Sequence, residues 1–139
     1  MAKKKKPLVY LIYDDLVNAV KGLGKKTYLD RPKSVPDEVV NFIVVDIPTE
    51  IRGLVKGSID FKADCYGTFS IFVKAKTDGT PNIASQTDLT QSVLDVFPIN
   101  GTHIKATKPS ILMQGDDGLG FQVTQITFKL ATKTNAREL

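Results

Sequence analysis

The side chains that could carry out chemistry are few in this sequence and lie far apart. His103 is the only histidine and Cys65 the only cysteine, so one chain cannot assemble a multi-histidine metal site or a thiol cluster for zinc or iron–sulfur. A nucleophilic triad would need His103 as its base, and this residue stands in a predicted turn. Cys65 falls on the inward side of an alternating segment, where cysteine acts as a small hydrophobic residue. We therefore expect a protein that is not an enzyme and has no cofactor and no metal.

Three short motifs resemble ligand-binding loops but lack the positions that define them. Gly24 to Thr27 looks like the end of a phosphate-binding loop, yet Ala19 stands where the first glycine is needed and Lys26 where Ser or Thr is needed. Asp116 to Gly118 lacks the twelve-residue loop and distal glutamate of a calcium site. The glycines at 115–120 have the wrong order for a dinucleotide fingerprint. We interpret these motifs as a helix end and a solvated turn.

The basic charge of the chain is concentrated at its N-terminus. The net charge of +4 equals the contribution of Lys3, Lys4, Lys5 and Lys6. Residues 1–33 hold nine basic and three acidic side chains, a net of +6, while residues 34–139 hold ten and twelve, a net of −2. A nucleic-acid-binding domain usually spreads its basic residues over one face of the fold. The lysine run is a candidate polyanion contact, and its alternative interpretation is a solubilising arm.

Length and hydropathy indicate one intracellular domain. A chain of 139 residues fits a single core. Its longest apolar stretches fall far short of the roughly 20 residues that a membrane helix needs, and no signal-peptide cleavage pattern follows the lysine run. We predict a disordered basic arm at 1–6, one domain at 7–132 and a frayed tail at 133–139, in a cytoplasmic protein with no membrane contact.

The first half of the chain predicts one helix and one buried strand. Apolar residues recur at helical spacing from Leu8 to Leu23, where glycines and lysines end the helix. Asp14 and Asp15 are adjacent on this helix and point about 100° apart, which indicates a solvated face rather than an acid/base pair. Residues 25–38 contain two prolines and are predicted to be loop. The β-branched run 39–47 predicts a central strand buried on both faces.

Two alternating runs follow, at 59–65 and 69–75, and both place odd-numbered residues inward. A three-residue loop at Tyr66-Gly67-Thr68 would keep these faces in register as a hairpin. One long strand bent at Gly67 fits the same pattern, and the sequence leaves both alternatives open.

The second half predicts a helix and two strands. Thr87 is the expected cap of a helix that ends before Pro98. The segment 104–113 is predicted to be a strand that Pro109 confines to a sheet edge, and 114–120 is predicted to be a mobile turn. In the last strand, 121–130, the apolar parity changes, which predicts a bulge near Thr124-Gln125. The candidate assembly contacts are Pro109, Gln114, Asp116, Asp117 and Gly118.

These elements predict an α+β fold with a mainly antiparallel sheet of about five strands packed against two helices. We expect the core to contain Phe61, Ile71, Val45 and Phe128.

The order of elements resembles the small tail-completion proteins of tailed bacteriophages and prophages, the tail-terminator or head-to-tail joining class. The segments that carry the resemblance are the helix Leu8 to Val20, the loop Arg31-Pro32 to Pro36, the strand Phe42 to Ile47, the hairpin Ile59 to Lys76 and the helix Asp88 to Phe97. The resemblance implies a homo-oligomeric ring, commonly a hexamer, that caps the tail tube and meets the connector. It implies a virion component and transfers no individual site residue.

Two other classes of function remain open at this point. A small nucleic-acid-associated accessory protein is favoured by the lysine arm and the positive balance of residues 1–33. An enzyme would require subunits that share a site.

Overall fold

The computed structural model describes residues 8–29, 32, 35–36, 39–46 and 62–132. Along the chain they form two helices and six strands: α1 (Leu8–Lys21), β1 (Lys26–Tyr28), β2 (Asn41–Asp46), β3 (Lys62–Lys74), α2 (Ile83–Leu94), β4 (Ile99–Asn100), β5 (Ile104–Asp116) and β6 (Phe121–Thr132). The lysine run, the tail at 133–139 and the predicted core residue Phe61 lie outside the described residues.

The strands form one mixed sheet in the order β1-β2-β3-β6-β5-β4. β1 runs parallel to β2, and every other neighbouring pair is antiparallel. The α+β class is therefore confirmed, with two short strands, β1 and β4, that the sequence did not indicate. The prediction of a loop throughout 25–38 is wrong at 26–28, because a three-residue strand is too short to show a period of two.

α1 forms as predicted and covers one face of the sheet. Its buried side is the apolar stripe, which consists of Leu11, Ile12, Tyr13, Leu16 and Val20. Gly24 has φ +71° just beyond the helix, a left-handed conformation that glycine adopts without a steric penalty. The sequence Gly24 to Thr27 is thus the end of a helix and the entry to β1.

β3 is one long strand, which decides between the two alternatives left open by the sequence. Tyr66, Gly67 and Thr68 pair with Lys129, Phe128 and Thr127 of β6 in the middle of the ladder. Gly67 has a packing function instead of a turn function. A Cβ atom built at this glycine would lie 2.6 Å from Cε2 and Cζ of Phe128, so the aromatic ring occupies the space that a side chain would need.

α2 begins earlier than predicted. The cap is Asn82, whose Oδ1 accepts a hydrogen bond from Ser85 N at 3.2 Å, whereas Thr87 is an exposed residue within the helix. Asparagine is as good a cap as threonine, and the chain offers both. Leu89 and Val93 of the predicted stripe are buried against the sheet.

The sheet is buried on both faces over part of its area. The larger core lies under the helices and includes the predicted residues Val45, Ile71 and Phe128. A smaller cluster on the opposite face contains Phe42, Val44, Phe72 and Val123, and the rings of Phe42 and Phe72 stack with centroids 4.6 Å apart.

The second cluster explains why the bulge predicted in β6 is wrong. Phe121 and Val123 pack in the smaller cluster, and the even-numbered apolar residues pack in the larger one, namely Ile126, Phe128 and Leu130. A regular strand can bury odd-numbered residues on one face and even-numbered residues on the other, so no bulge is needed. The pairing of β6 with β3 runs without a shift from Phe121 to Leu130. The irregularities of the two ladders lie elsewhere, in β5 between Thr107 and Ser110 and between Met113 and Gly115, and in β3 between Lys62 and Cys65.

Candidate functional site

β5 carries the exposed sheet edge that Pro109 predicted. One side of β5 pairs with β6, and on the other side β4 pairs only with Lys105 and Ala106. Within the described part of the chain, no strand pairs with the outer side of 107–116. Unpaired backbone groups along a strand are a template for another strand. The stretch between the two irregularities of β5, residues 110–113, can therefore accept a main-chain partner on its outer side.

The N-terminal part of this edge is shaped by a bulge. Lys108 has φ +56°, and neither Lys108 nor Pro109 has a register partner in β6. Pro109 also lacks the N–H group that a ladder needs. These features restrict regular pairing to the residues that follow Pro109.

The middle of the same edge is apolar and exposed. Ile111 is 47% exposed, Leu112 55% and Met113 63%. Leu119, in the turn after β5, is 66% exposed. Three consecutive large apolar residues beside an unpaired strand edge are typical of a protein contact surface, because isolated exposed apolar residues are common but a contiguous patch is not.

The turn between β5 and β6 is shorter than predicted and is ordered by its own carboxylates. Gln114 and Asp116 belong to β5, which leaves 117–120 as the turn. Asp117 Oδ1 accepts hydrogen bonds from Leu119 N at 2.7 Å and Phe121 N at 3.0 Å. Asp116 Oδ2 accepts one from Gly118 N at 3.0 Å. These contacts agree with the interpretation of a solvated turn and hold Leu119 at the tip.

A groove of about 220 Å³ lies between α2 and β5. Its lining consists of Ile111 and Met113 from β5 and Gln86, Thr87, Thr90, Gln91 and Leu94 from α2. Thr90 is 8% exposed, and its Oγ1 is buried with no hydrogen-bond partner among the described residues. A buried hydroxyl without a partner is costly and needs an explanation. This groove is therefore a second feature of the β5 edge that a bound partner could complete.

The opposite face of β5 borders a polar groove of about 340 Å³. Asp46, Asp116 and Asp117 contribute carboxylates to its lining, and Ser70 Oγ donates a hydrogen bond to Asp46 Oδ2 at 2.7 Å. Across the described ranges, no group of three or more His, Cys, Asp or Glu side chains is arranged to hold a metal ion. The acidic lining gives the C-terminal end of β5 a negative character.

Cys65 and His103, the two residues considered above for chemistry, both contact main-chain or side-chain atoms of the fold. Cys65 is buried, and its Sγ lies 3.4 Å from the carbonyl oxygen of Leu130. His103 is half-buried in the turn between β4 and β5, and its carbonyl oxygen accepts a hydrogen bond from Thr132 Oγ1 at 3.0 Å. These positions agree with the interpretation of Cys65 as a small hydrophobic residue and with the prediction that His103 lies in a turn.

Asp15 corrects the interpretation of a solvated acidic pair. Its Oδ2 accepts hydrogen bonds from His103 N at 2.7 Å and Ile104 N at 3.2 Å. Gly101 lies against this carboxylate so closely that an added Cβ would collide with it. These hydrogen bonds connect α1 to the start of β5. Asp15 and His103 are 88 residues apart in sequence, so no local pattern indicates the contact.

The structure brings the predicted assembly residues together along one edge. Pro109, Gln114 and Asp116 lie in β5, and Asp117 and Gly118 lie in the adjoining turn. Sequence reasoning missed Leu112 and Leu119 as surface residues. Part of the signal for Leu112 was present, because alternation along a strand points it to the opposite face from Ile111 and Met113.

No helix in the described part of the chain is long and apolar enough to cross a membrane. Comparison with protein-family models finds no family that matches this sequence. Comparison with curated proteins likewise finds no significant match.

Proposed function

We propose that this protein is a non-enzymatic structural subunit that assembles into a ring and acts as a tail terminator or head-to-tail joining protein of a phage or prophage. In this proposal it is cytoplasmic during assembly and then becomes part of the virion, where it contacts the tail tube and the connector.

The observation that supports an assembly function is the exposed apolar edge of β5. Ile111, Leu112 and Met113 present apolar surface next to unpaired main-chain groups, and Leu119 extends that surface into the turn. Strand addition to a sheet edge supplies affinity from the main chain and specificity from the side chains beside it. A structural subunit needs such a surface and needs no catalytic group.

The arrangement of the turn supports a contact at the end of the sheet as well as along its edge. The turn 117–120 projects from the C-terminal end of β5, and Asp116 and Asp117 fix its conformation through main-chain hydrogen bonds. A subunit that must end a tube requires one surface for its neighbours in the ring and another for the tube or connector. The edge and the turn are two such surfaces on one hairpin.

The experiment is to image phage or prophage particles made with and without the gene for this protein. Abnormally long tails, or tails that are not joined to heads, are expected when the protein is missing. Normal joined virions without the protein would overturn the proposal.

A further inference from the structure

We propose that Met113 of the unassembled chain is a site of reversible oxidation by hydrogen peroxide, and that Thr124 directs the oxygen to one side of the Met113 sulfur. The product is one epimer of methionine sulfoxide. The inference depends on three features of Met113: its exposure, the buried hydroxyl beside its sulfur and the polar wall of the groove that it lines.

Met113 is accessible to a small oxidant in solvent. Its side chain is 63% exposed, and within the described part of the chain no strand pairs with the outer side of β5 at this residue. An exposed thioether reacts with peroxide without any cofactor. Met1, the other methionine of the chain, lies outside the described residues.

A buried hydroxyl is held against the sulfur of Met113. Met113 and Thr124 are direct cross-strand partners in the β5–β6 ladder, and Thr124 Oγ1 donates a hydrogen bond to Met113 Sδ at 3.7 Å. Gln86 Nε2 of α2 donates to the same Oγ1 at 2.7 Å. Because Thr124 and Gln86 are both buried, the core of the fold fixes the position of this donor.

The hydrogen bond makes the two lone pairs of the sulfur unequal. One lone pair accepts the hydrogen bond of Thr124, and the other is left for the peroxide. In the reaction the sulfur gives two electrons, an S–O bond forms as the O–O bond breaks, and the proton of the transferred oxygen passes to the departing oxygen, which leaves as water. An oxidised methionine sulfur is a stereocentre, so attack from one side gives one epimer.

The fold can accept a sulfoxide at this position. Met113 lines the groove beside α2, whose other wall includes the amides and hydroxyls of Gln86, Thr87, Thr90 and Gln91. Oxidation of a methionine disrupts a protein when the new polar oxygen enters an apolar core. Since Met113 is exposed and faces polar groups, we expect the oxidised chain to remain folded.

The reversal of the reaction depends on which epimer forms. Each sulfoxide epimer is reduced by its own reductase, so a single epimer is restored by one of the two enzymes. If the proposed function holds, oxidation of the free subunit adds a polar group to the apolar edge and lowers assembly until the reductase removes it. This regulatory meaning rests on the proposed function, whereas the oxidation rests on the contacts of Met113 alone.

The test is oxidation of the full chain by hydrogen peroxide, in native buffer and in urea as the reference. After digestion, mass spectrometry of the peptide that contains Met113 measures the fraction that each reductase converts back to methionine. We expect one epimer to exceed the other by about threefold or more in the folded chain, the order that one net hydrogen bond supports. The unfolded chain should give both epimers in similar amounts, and circular dichroism should show that the oxidised native chain is folded.

Substitutions in β6 separate the effect of the hydroxyl from that of the fold. Thr124→Val removes the donor and should make the two epimers similar in amount, whereas Thr124→Ser keeps the donor and should keep the excess. Thr127→Val is the matched control, because the hydroxyl of Thr127 lies 3.4 Å from that of Thr68 on the other face of the sheet. It should leave the ratio of epimers unchanged.

Three results would overturn the inference. They are a folded wild type whose Met113 resists peroxide that oxidises free methionine, similar amounts of both epimers from the folded wild type, and an unchanged excess in folded Thr124→Val. The comparison of folded and unfolded wild type involves no variant, so it decides the question even if Thr124→Val does not fold. None of these measurements involves assembly, and the proposed function is therefore judged separately by particle imaging.

Discussion

Replacement of Gly67 by alanine tests the packing between β3 and β6, the two central strands of the sheet. The new Cβ would lie 2.6 Å from two ring carbons of Phe128, which is well inside van der Waals contact. The ring has no room to retreat, because Phe128 is fully buried and its centroid lies 5.1 Å from those of both Phe69 and Phe97. Either the ring or β3 must shift.

The expected cost follows from two opposing effects. Overpacking of a well-packed core typically costs about 1–3 kcal/mol. The change from glycine to alanine restricts the unfolded chain and contributes about 0.4–1 kcal/mol of stabilisation where the backbone tolerates it. We therefore expect Gly67→Ala to lower the free energy of unfolding by about 1–2 kcal/mol.

The assay is urea denaturation monitored by circular dichroism, with Gly22→Ala as the matched control. Apart from the residues next to it along the chain, no described residue has an atom within 4 Å of a Cβ at Gly22, so this variant should be as stable as the wild type or slightly more stable. In a Phe128→Leu background the ring is absent, so Gly67→Ala should lower the free energy of unfolding by less than it does in the wild type. Equal stability of Gly67→Ala and the wild type would refute the proposed close packing, as would an unchanged cost in the Phe128→Leu background.

Three further predictions concern other features of the chain. Asp15→Ala removes the acceptor of two main-chain N–H groups where the β4–β5 turn enters β5 and should destabilise the fold by about 1.5–3 kcal/mol in urea denaturation; a cost below about 0.5 kcal/mol would contradict this function of the carboxylate. The hydrogen bond from the hydroxyl of Thr80 holds the pKa of Asp78 below its ordinary value, so any stabilisation it gives is present above the unfolded-state pKa and is lost as the pH falls through the folded-state pKa. Thr80→Val should raise the pKa of Asp78 in an NMR titration, and an unchanged pKa would show that another contact is responsible. Removal of residues 1–6 should leave the midpoint of unfolding unchanged; if the lysine arm binds nucleic acid, the truncation should also abolish a salt-sensitive retention on heparin, and equal retention of both forms would exclude that function of the arm.

The sequence predicted best those elements whose pattern is long and local. α1 carries apolar residues at a helical period and β2 carries a continuous β-branched run, and the structure forms both close to the expected bounds. The strands β5 and β6 also begin where the apolar segments 104–113 and 121–130 begin. The edge position of β5 followed from one residue, Pro109, because proline cannot take part in a continuous ladder. Fold class was therefore accessible from local pattern alone.

The features that the sequence did not indicate depend on distant partners. Gly67 resembles a turn residue until Phe128, 61 positions later in the chain, is known to cover it. The parity change in β6 resembled a bulge because a second cluster on the far face of the sheet was not expected. Asp15 resembled a solvated residue because its two donors lie 88 and 89 positions away.

The residues of the candidate site also divide into those with a local sequence signature and those whose position depends on distant parts of the fold. The polar members, such as Asp116 and Gly118, were found because turn residues have a strong local signature. The apolar members were harder to identify, because Leu112 and Leu119 look like core residues until the neighbouring strand and its outer side are known. Exposure of an apolar side chain is a property of the fold and not of the segment.

The central claim is that the protein acts through the apolar edge of β5, and complementation tests it most directly. Cells that lack the gene would receive the wild type, Leu112→Asp or the matched control Ile83→Asp, and tail lengths and joined particles would be counted by electron microscopy. Ile83 is 67% exposed at the start of α2, outside the assembly surface, so its variant should restore joined virions as the wild type does. We predict that Leu112→Asp is folded and present at normal levels but fails to restore them. Full restoration by Leu112→Asp would contradict the account.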